Sequence, residues 1–209
     1  MKSAGLSSEP GAGGLPVGGR LILASGSARR RTLLAEAGWP FEVIAPSIAE
    51  PQPHWGALGA KELAESLAYF KARSVWEKNP GAWVVGADTV VALGSLVFGK
   101  ADDAEEARSI LRTLAGTRHA VVTGVALLGP GEQRIIASDT TYVTMRKAHD
   151  KEIEEYVRSG EWQGKAGAYA IQETGDRFVQ KVEGSFTNVV GMPMELLRRM
   201  LARAGHPPA

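Results

Sequence analysis

Strand-like and helical patterns alternate along the first half of this chain. Strands are predicted at residues 21–25, 41–45 and 83–87, where apolar residues cluster, and the third runs directly into Asp88. Apolar residues recur at helical spacing over 59–79, and Ser27 stands where the N-cap of an earlier helix belongs. Strands that alternate with helices predict an α/β fold.

The second half of the chain adds hairpins to this pattern. Gly94 and Ser95 separate apolar runs at 90–93 and 96–98, which is typical of a tight β-hairpin. Two long strands are predicted at 119–128 and 133–145. The remaining predicted elements are a helix capped by Asp102 or Asp103 and ending at Gly116, helices at 150–159 and 193–204, and strands at 168–172 and 178–182. Because hairpins accompany crossovers, we expect a mixed sheet and not a purely parallel one.

Composition narrows the classes of protein to consider. The 209 residues include 24 Lys plus Arg and 23 Asp plus Glu, a formal charge of +1 that argues against a general nucleic-acid coat or a polybasic membrane binder. The absence of Cys excludes disulfides and Cys-based metal sites. No apolar run approaches the roughly 18 residues of a membrane helix, and no secretory signal is seen, so we expect a cytoplasmic protein with neither nucleic-acid nor membrane partners.

Domain organisation follows from the same composition. Residues 1–20 are rich in Gly, Pro and Ser and have few side chains that bury area, so they are predicted to be a disordered extension. Residues 21–209 contain no repeat and no second linker. They are predicted to form a single domain.

A cluster of polar and basic residues follows the first predicted strand. Residues 25–31 read Ser-Gly-Ser-Ala-Arg-Arg-Arg and combine a tight turn, a helix start and adjacent guanidinium groups. Free backbone N–H groups, the Ser25 and Ser27 hydroxyls, and Arg side chains could together hold a polyphosphate. The alternative is an ordinary capped helix with a solvated basic face.

Carboxylates also follow predicted strands. Asp88 and Thr89 end a strand that is otherwise apolar, and Glu50 follows the second strand after a short loop. Two such carboxylates could hold a divalent cation and activate a water molecule, although a lone Asp at a strand end can also simply cap a turn. Taken singly, Lys71 and Lys100 can be interpreted either as solvated surface charges or as ligand-binding residues.

One apparent motif is rejected. Residues 94–101 match the start of a P-loop, but Ala101 replaces the Ser or Thr that would hold Mg²⁺. The intervening Leu-Val-Phe also favours a strand. This segment is therefore interpreted as part of the hairpin.

Taken together, the motifs resemble those of the Maf family of nucleoside triphosphate pyrophosphatases. They follow the family's order over residues 21–201. The matching segments are 23–31, 33–34, 41–44, Glu50, 71–73, 86–90, 99–100, 123–124, 165–172, 184–185 and 188–193. Ala28 and Ala101 stand where the family usually has Pro, and Ala49 stands where it often has an acidic residue.

The resemblance implies a fold, a reaction and an assembly. The implied fold is an elongated α/β structure, with a mixed twisted sheet, flanking helices and a central cleft between two lobes. The implied reaction is the hydrolysis of a nucleoside triphosphate to a monophosphate and pyrophosphate, with Mg²⁺ or Mn²⁺. A homodimer is also implied. A non-catalytic nucleotide-binding regulator of cell division or septum formation is the alternative.

The resemblance also implies individual roles. Asp88 would activate water, and Asp88 with Glu50 would hold the metal. The implied triphosphate-binding residues are Ser25, Ser27, Arg30, Lys71 and Lys100. Arg29, Thr89 and Gln172 match the branch that acts on dTTP and UTP, whereas the other branch typically has Trp at the first of these positions. A Gln amide can pair with the donor and acceptor edge of uracil or thymine.

Overall fold

The computed structural model describes residues 19–47, 58–172 and 174–205. Its strands are β1 Leu21–Ala24, β2 Glu42–Val43, β3 Trp83–Leu93, β4 Leu96–Phe98, β5 Arg118–Leu128, β6 Arg134–Met145 and β7 Val179–Glu183. Its α-helices are α1 Ala28–Glu36, α2 Ala60–Trp76, α3 Ala104–Leu114, α4 Asp150–Ser159, α5 Phe186–Val190 and α6 Met194–Gly205. Short 3-10 helices occur at Pro130–Glu132 and Thr174–Phe178. None of the described helices is both long and apolar enough to cross a membrane.

The described strands form one mixed sheet. Its order is β2-β1-β3-β5-β6-β7, and β4 pairs with β3 beside this path. The pairings of β1 with β2 and with β3 are parallel, while the other pairings are antiparallel. The prediction of a mixed α/β sheet with flanking helices is therefore confirmed.

Three local predictions are corrected by the structure. The strand predicted to stop before Asp88 continues to Leu93, because β5 pairs with it from Val84 to Ala92. The strand predicted at 168–172 is absent, since Gly167 and Ala168 have φ of +70° and +57°, which extended chain does not adopt. The short helix α5 was not predicted. The predicted disorder of residues 1–20 concerns a segment of which only 19 and 20 lie within the described residues.

Two hydrophobic cores occupy one face of the long strands β3 and β5. At one end, Val85 and Val125 pack with α1 and α6. At the other end, Val91 and Val121 pack with α3 and α4. Side chains on one face of a strand recur every second residue, so β3 places Ala87, a member of the first core, and one further residue on this face before Val91. That residue is Thr89, and the sheet is polar where the two cores separate.

On the opposite face, α2 lies against the backbone of the sheet. A Cβ atom added at Gly86 would lie 2.5 Å from the Ala68 carbonyl oxygen, and one added at Gly124 would lie 2.3 Å from that of Ala64. Only glycine leaves room for this approach. The glycines bring the helix close to the middle of β3.

Candidate active site

The candidate site lies at a gap in one edge of the sheet. Along this edge, β1 pairs with β3 up to Gly86, and β4 pairs with β3 from Val91 onward. The other edge of β3 is occupied by β5 throughout. Asp88 and Thr89 lie between the two partner strands, so their edge of β3 is open to a ligand.

The turn after β1 forms one side of the gap. The Ser27 hydroxyl caps α1 by accepting a hydrogen bond from the Arg30 backbone N–H at 3.5 Å, and the Ser25 hydroxyl accepts one from the Ser27 N–H at 3.1 Å. The prediction that Ser27 is an N-cap is confirmed. The turn directs the N-terminus of α1, where helix N–H groups favour anions, toward the cleft.

A buried ion pair crosses from α2 to β3. The Lys71 ammonium donates a hydrogen bond to Asp88 Oδ1, and the two side chains are only 7% and 9% exposed. A buried charge is costly without a partner, so each group stabilises the other in this position. The close approach of α2 at Gly86, two residues before Asp88, makes the contact possible.

Arg30 donates hydrogen bonds to at least three acceptors. Its Nε donates to the Gly191 carbonyl oxygen at 2.7 Å, Nη2 donates to the Thr89 hydroxyl at 3.2 Å, and Nη1 donates to the Ser25 hydroxyl at 3.4 Å. A guanidinium group held at each nitrogen loses little further freedom when a ligand binds. Arg30 is thus oriented before any substrate arrives.

The segment between α4 and the second 3-10 helix forms the opposite side of the cleft. It is attached to the end of β4 by a hydrogen bond from the Gly167 N–H to the Gly99 carbonyl oxygen at 2.9 Å, and by an isolated bridge between Lys100 and Ala166. Arg29 spans the cleft, since its Nη2 donates to the Gly164 carbonyl oxygen at 3.3 Å. The two sides are therefore in direct contact.

Within this segment, Tyr169 is hydrogen bonded to His119 of β5. The Tyr169 hydroxyl lies 3.0 Å from His119 Nε2, and both side chains are buried. Burial lowers the pKa of His119 to about 4 and raises the pKa of the Tyr169 hydroxyl. His119 is therefore neutral near pH 7.

The turn after β1, the Lys71–Asp88 pair, Arg30 and the opposite segment all line a cleft of about 470 Å³. Among the described residues, its charged lining consists of five cations and one carboxylate, a formal excess of four positive charges. These residues are Arg29, Arg30, Lys71, Lys100, Lys165 and Asp88. Ser25, Ser27, Thr89 and Gln172 also line the cleft. Every predicted site residue within the described part of the chain thus belongs to one cavity.

Glu50 is the exception, because it lies outside the described residues. In the described ranges, no three His, Asp or Glu side chains group as a metal site would require. Asp88 nevertheless fits a metal shared with substrate, because Mg²⁺ commonly takes one or two protein carboxylates and completes its shell with phosphate oxygens and water.

Two features of the site were missed by reasoning from sequence: one residue lines the cleft and the other is buried next to Thr89. Lys165 is only 6% exposed, and its ammonium donates to the Glu161 carbonyl oxygen, yet it lines the cleft as a further cation. Its place at the start of the 165–172 motif was the available signal. Thr123 forms a hydrogen bond with Thr89, and its place in the 123–124 motif was the available signal.

Comparison with known proteins identifies the family of this chain. The family model described as "Maf-like protein" matches residues 20–204. The chain belongs to the Maf family. The Maf match spans both sides of the cleft, from the turn after β1 to α6.

Named relatives are similar over nearly their whole length. The dTTP/UTP pyrophosphatase of Myxococcus xanthus is 48% identical over 187 residues, which are 90% of this chain and 93% of that protein. The dTTP/UTP pyrophosphatase of Pelotomaculum thermopropionicum is 42% identical, over 89% of this chain and 97% of that protein. Among solved structures, the Staphylococcus aureus Ham1 protein has a TM-score of 0.49 and 11% identity, over 87% of this chain and 97% of its own.

Proposed function

We propose that this chain hydrolyses dTTP and UTP to the nucleoside monophosphate and pyrophosphate. The observation that carries the proposal is the buried Lys71–Asp88 pair in a cleft whose other charged groups, among the described residues, are cations. Such a lining suits a polyanion, and a carboxylate facing a polyanion is useful when it acts on water or metal. Membership of the Maf family and relatives named dTTP/UTP pyrophosphatase support the same reaction.

In this mechanism, Asp88 is the general base. Its carboxylate takes a proton from a water whose oxygen forms a bond to the α-phosphorus. The bond from the α-phosphorus to the oxygen that bridges to the β-phosphorus breaks, and its electron pair leaves with pyrophosphate. Lys71 holds the carboxylate in place through their hydrogen bond. Positioning and electrostatics supply most of the rate enhancement in such reactions.

The triphosphate is bound from both sides of the cleft. Ser25, Ser27 and the N-terminus of α1 supply hydroxyl and N–H donors on one side, beside the oriented guanidinium of Arg30. Lys100 supplies a cation on the other side, and we add Lys165 to this set because it lines the same wall. Lys71 also lines the cleft, where its hydrogen bond to Asp88 holds its ammonium, and it would face the phosphates.

A divalent cation completes the proposal. Asp88 and Glu50 would hold Mg²⁺ or Mn²⁺ together with phosphate oxygens. When bound, such a cation neutralises phosphate charge and polarises the reacting phosphoryl group. Because Ala49 replaces the acidic residue often found before Glu50, binding of the cation depends more on Glu50 and Asp88.

The pyrimidine base is assigned to Gln172, with Arg29 and Thr89. Gln172 is exposed and lines the cleft, so its amide is available to pair with a base. Arg29 joins the two sides of the cleft, and Thr89 contacts Arg30. A cytoplasmic location, a homodimer, and the absence of nucleic-acid and membrane partners stay predictions, and sedimentation of the purified protein tests the dimer.

Product analysis of an Asp88→Asn variant tests the function. Purified protein is incubated with Mg²⁺ and each nucleoside triphosphate, and the released phosphate species are identified. The wild type should release pyrophosphate, with dTTP and UTP as the best substrates. Asp88→Asn should lower turnover by about 10²-fold or more, because the shape is kept and the base is lost. Asp102→Asn, which changes an exposed acid outside the cleft, should have wild-type turnover.

Other outcomes identify the alternatives. Near-wild-type turnover of Asp88→Asn rules out Asp88 as the base. Release of orthophosphate would indicate P-loop chemistry. Nucleotide binding without any hydrolysis would favour the non-catalytic regulator of cell division.

A further inference from the structure

A chain of hydrogen bonds links Arg30 to the interior of the sheet. Arg30 Nη2 donates to Thr89 Oγ1 at 3.2 Å, and Thr89 Oγ1 lies 2.9 Å from Thr123 Oγ1. Thr123 Oγ1 in turn donates to the Asn188 backbone carbonyl oxygen at 3.0 Å. Thr89 and Thr123 are directly paired across β3 and β5, which places their hydroxyls side by side.

The direction of each bond follows from counting protons. A hydroxyl has one hydrogen to donate and two lone pairs, whereas a carbonyl oxygen can only accept. The Thr123 hydroxyl therefore donates its only hydrogen to the Asn188 backbone carbonyl oxygen. Thr89 must then donate to Thr123, and its own oxygen is left to accept from Arg30. Every donor in the chain points from the cleft toward the interior of the sheet.

Burial shows that the Thr123 hydroxyl needs these bonds. Thr123 and Asn188 are fully buried, and Val121 and Val125 neighbour Thr123 on the same strand face. A hydroxyl in such surroundings costs free energy unless it is hydrogen bonded, and valine has the same shape without that cost. The presence of threonine instead of valine at position 123 is best explained by the hydrogen bonds of its hydroxyl to Thr89 and Asn188.

We infer that Thr123 is a positioning residue for Arg30 and acts through Thr89. The inference rests on the proposed function, in which Arg30 binds the triphosphate. Thr123 fixes the Thr89 hydroxyl as an acceptor, and this acceptor holds one nitrogen of the guanidinium in the cleft. The Thr89 proton is committed to Thr123, so the contribution of Thr89 to substrate selection, proposed above, passes through Arg30 and not through a hydrogen bond donated to the pyrimidine base.

The test compares hydroxyl and methyl groups at the same positions. Thr123→Val should lower kcat/KM for dTTP about fivefold to tenfold, mainly through KM, because one net hydrogen bond to the positioned group is lost. Thr123→Ser, which keeps the hydroxyl, should restore kcat/KM to within about twofold. The double variant Thr89→Val/Thr123→Val should be no worse than Thr89→Val alone, since contacts in one chain are not additive.

Thr117→Val is the control outside this network. Thr117 is half-buried before β5, it does not line the cleft, and its hydroxyl donates to the Leu114 carbonyl oxygen at 2.7 Å. Thr141 is not suitable, because its hydroxyl accepts from Asn188 Nδ2 at 3.0 Å. The kinetic constants of Thr117→Val should stay at wild-type values. If Thr123→Val does not fold, Thr123→Ala and Thr123→Ser repeat the comparison. Unchanged kcat/KM without the hydroxyl, additive losses in the double variant, or an equal loss in Thr117→Val would each overturn the inference.

Arg30→Lys separates this inference from the proposed function. Loss of the guanidinium fork should raise KM for dTTP well above the value of Thr123→Val. If Arg30→Lys has no effect on KM, the proposed role of Arg30 in binding triphosphate is wrong. If Arg30→Lys raises KM and Thr123→Val does not, the proposed function stands and the link through Thr89 is wrong.

Discussion

The close packing of α2 on β3 is the feature of the site most open to a decisive steric test. Gly86→Ala adds a single Cβ atom at the point of contact. That atom would lie 2.5 Å from the Ala68 carbonyl oxygen and 2.7 Å from the Ala72 backbone nitrogen. Both are main-chain atoms of α2, so no side chain can rotate to make room.

The size of the effect follows from these distances. Ordinary contact for a Cβ atom begins at 3.4 Å, so the helix and strand must separate by about 0.9 Å. Overpacking of this kind should lower the free energy of unfolding by about 2 kcal/mol. Because Lys71 lies between Ala68 and Ala72, the same movement draws its ammonium away from Asp88. A misplacement of about 1 Å at a reacting group can cost about 10²-fold in turnover.

Two measurements on Gly86→Ala check this reasoning. Urea unfolding gives the stability change, and pyrophosphate release from dTTP, measured well below the unfolding midpoint, gives kcat. Gly81→Ala is the control, because nothing lies within 4 Å of a Cβ at that position. Its stability should change by less than about 1 kcal/mol and its kcat should be that of the wild type. A Gly86→Ala protein with native stability and native kcat would show that the approach of α2 does not set the geometry of the pair.

Two further predictions concern recognition of the pyrimidine base and the pH dependence of stability. Gln172→Ala should lower kcat/KM for dTTP and UTP about tenfold, with a smaller loss for other nucleotides, because a base reader is removed while its exposed side chain contributes little to stability. For His119, the folded pKa of about 4 lies below the unfolded value of 6.5, so the unfolded chain binds more protons as the pH falls. Between pH 7 and pH 4.5 the wild type should therefore lose about 2 kcal/mol more of its unfolding free energy than His119→Gln, as measured by urea unfolding.

Each of these two predictions can be contradicted by a specific result. Equal losses for all nucleotides in Gln172→Ala would mean that Gln172 does not read the base. An identical pH dependence in wild type and His119→Gln would mean that His119 is not held neutral by burial.

Local chemistry was readable from the sequence because it depends on near neighbours in the chain. The Ser27 cap, the hairpin turn at Gly94 and the helical spacing of α2 each involve residues a few positions apart. The motif residues that line the cleft were likewise identified by type and order. Asp88 and Lys71 could thus be singled out, although nothing local showed that they touch.

Errors arose where pairing between distant segments decided the structure. The polar Asp88 and Thr89 suggested the end of a strand, but β5 continues the hydrogen-bonding ladder past both. The Ala-Tyr-Ala-Ile run at 168–171 resembled a strand, yet the attachment of Gly167 to Gly99 requires a turn there. Thr123 belonged to a matching motif, but no role could be assigned to it until its contact with Thr89 was known.

The amino-acid sequence alone determined the chemical groups available and the mixed α/β class of the fold. The tertiary structure alone decided that these groups meet at an open edge of β3, between the end of β1 and the end of β4. The physical reason is that burial, ion pairing and strand pairing depend on distances in space between residues far apart in the chain. Lys71 becomes the partner of Asp88 only because α2 packs directly on Gly86, two residues before Asp88 in β3.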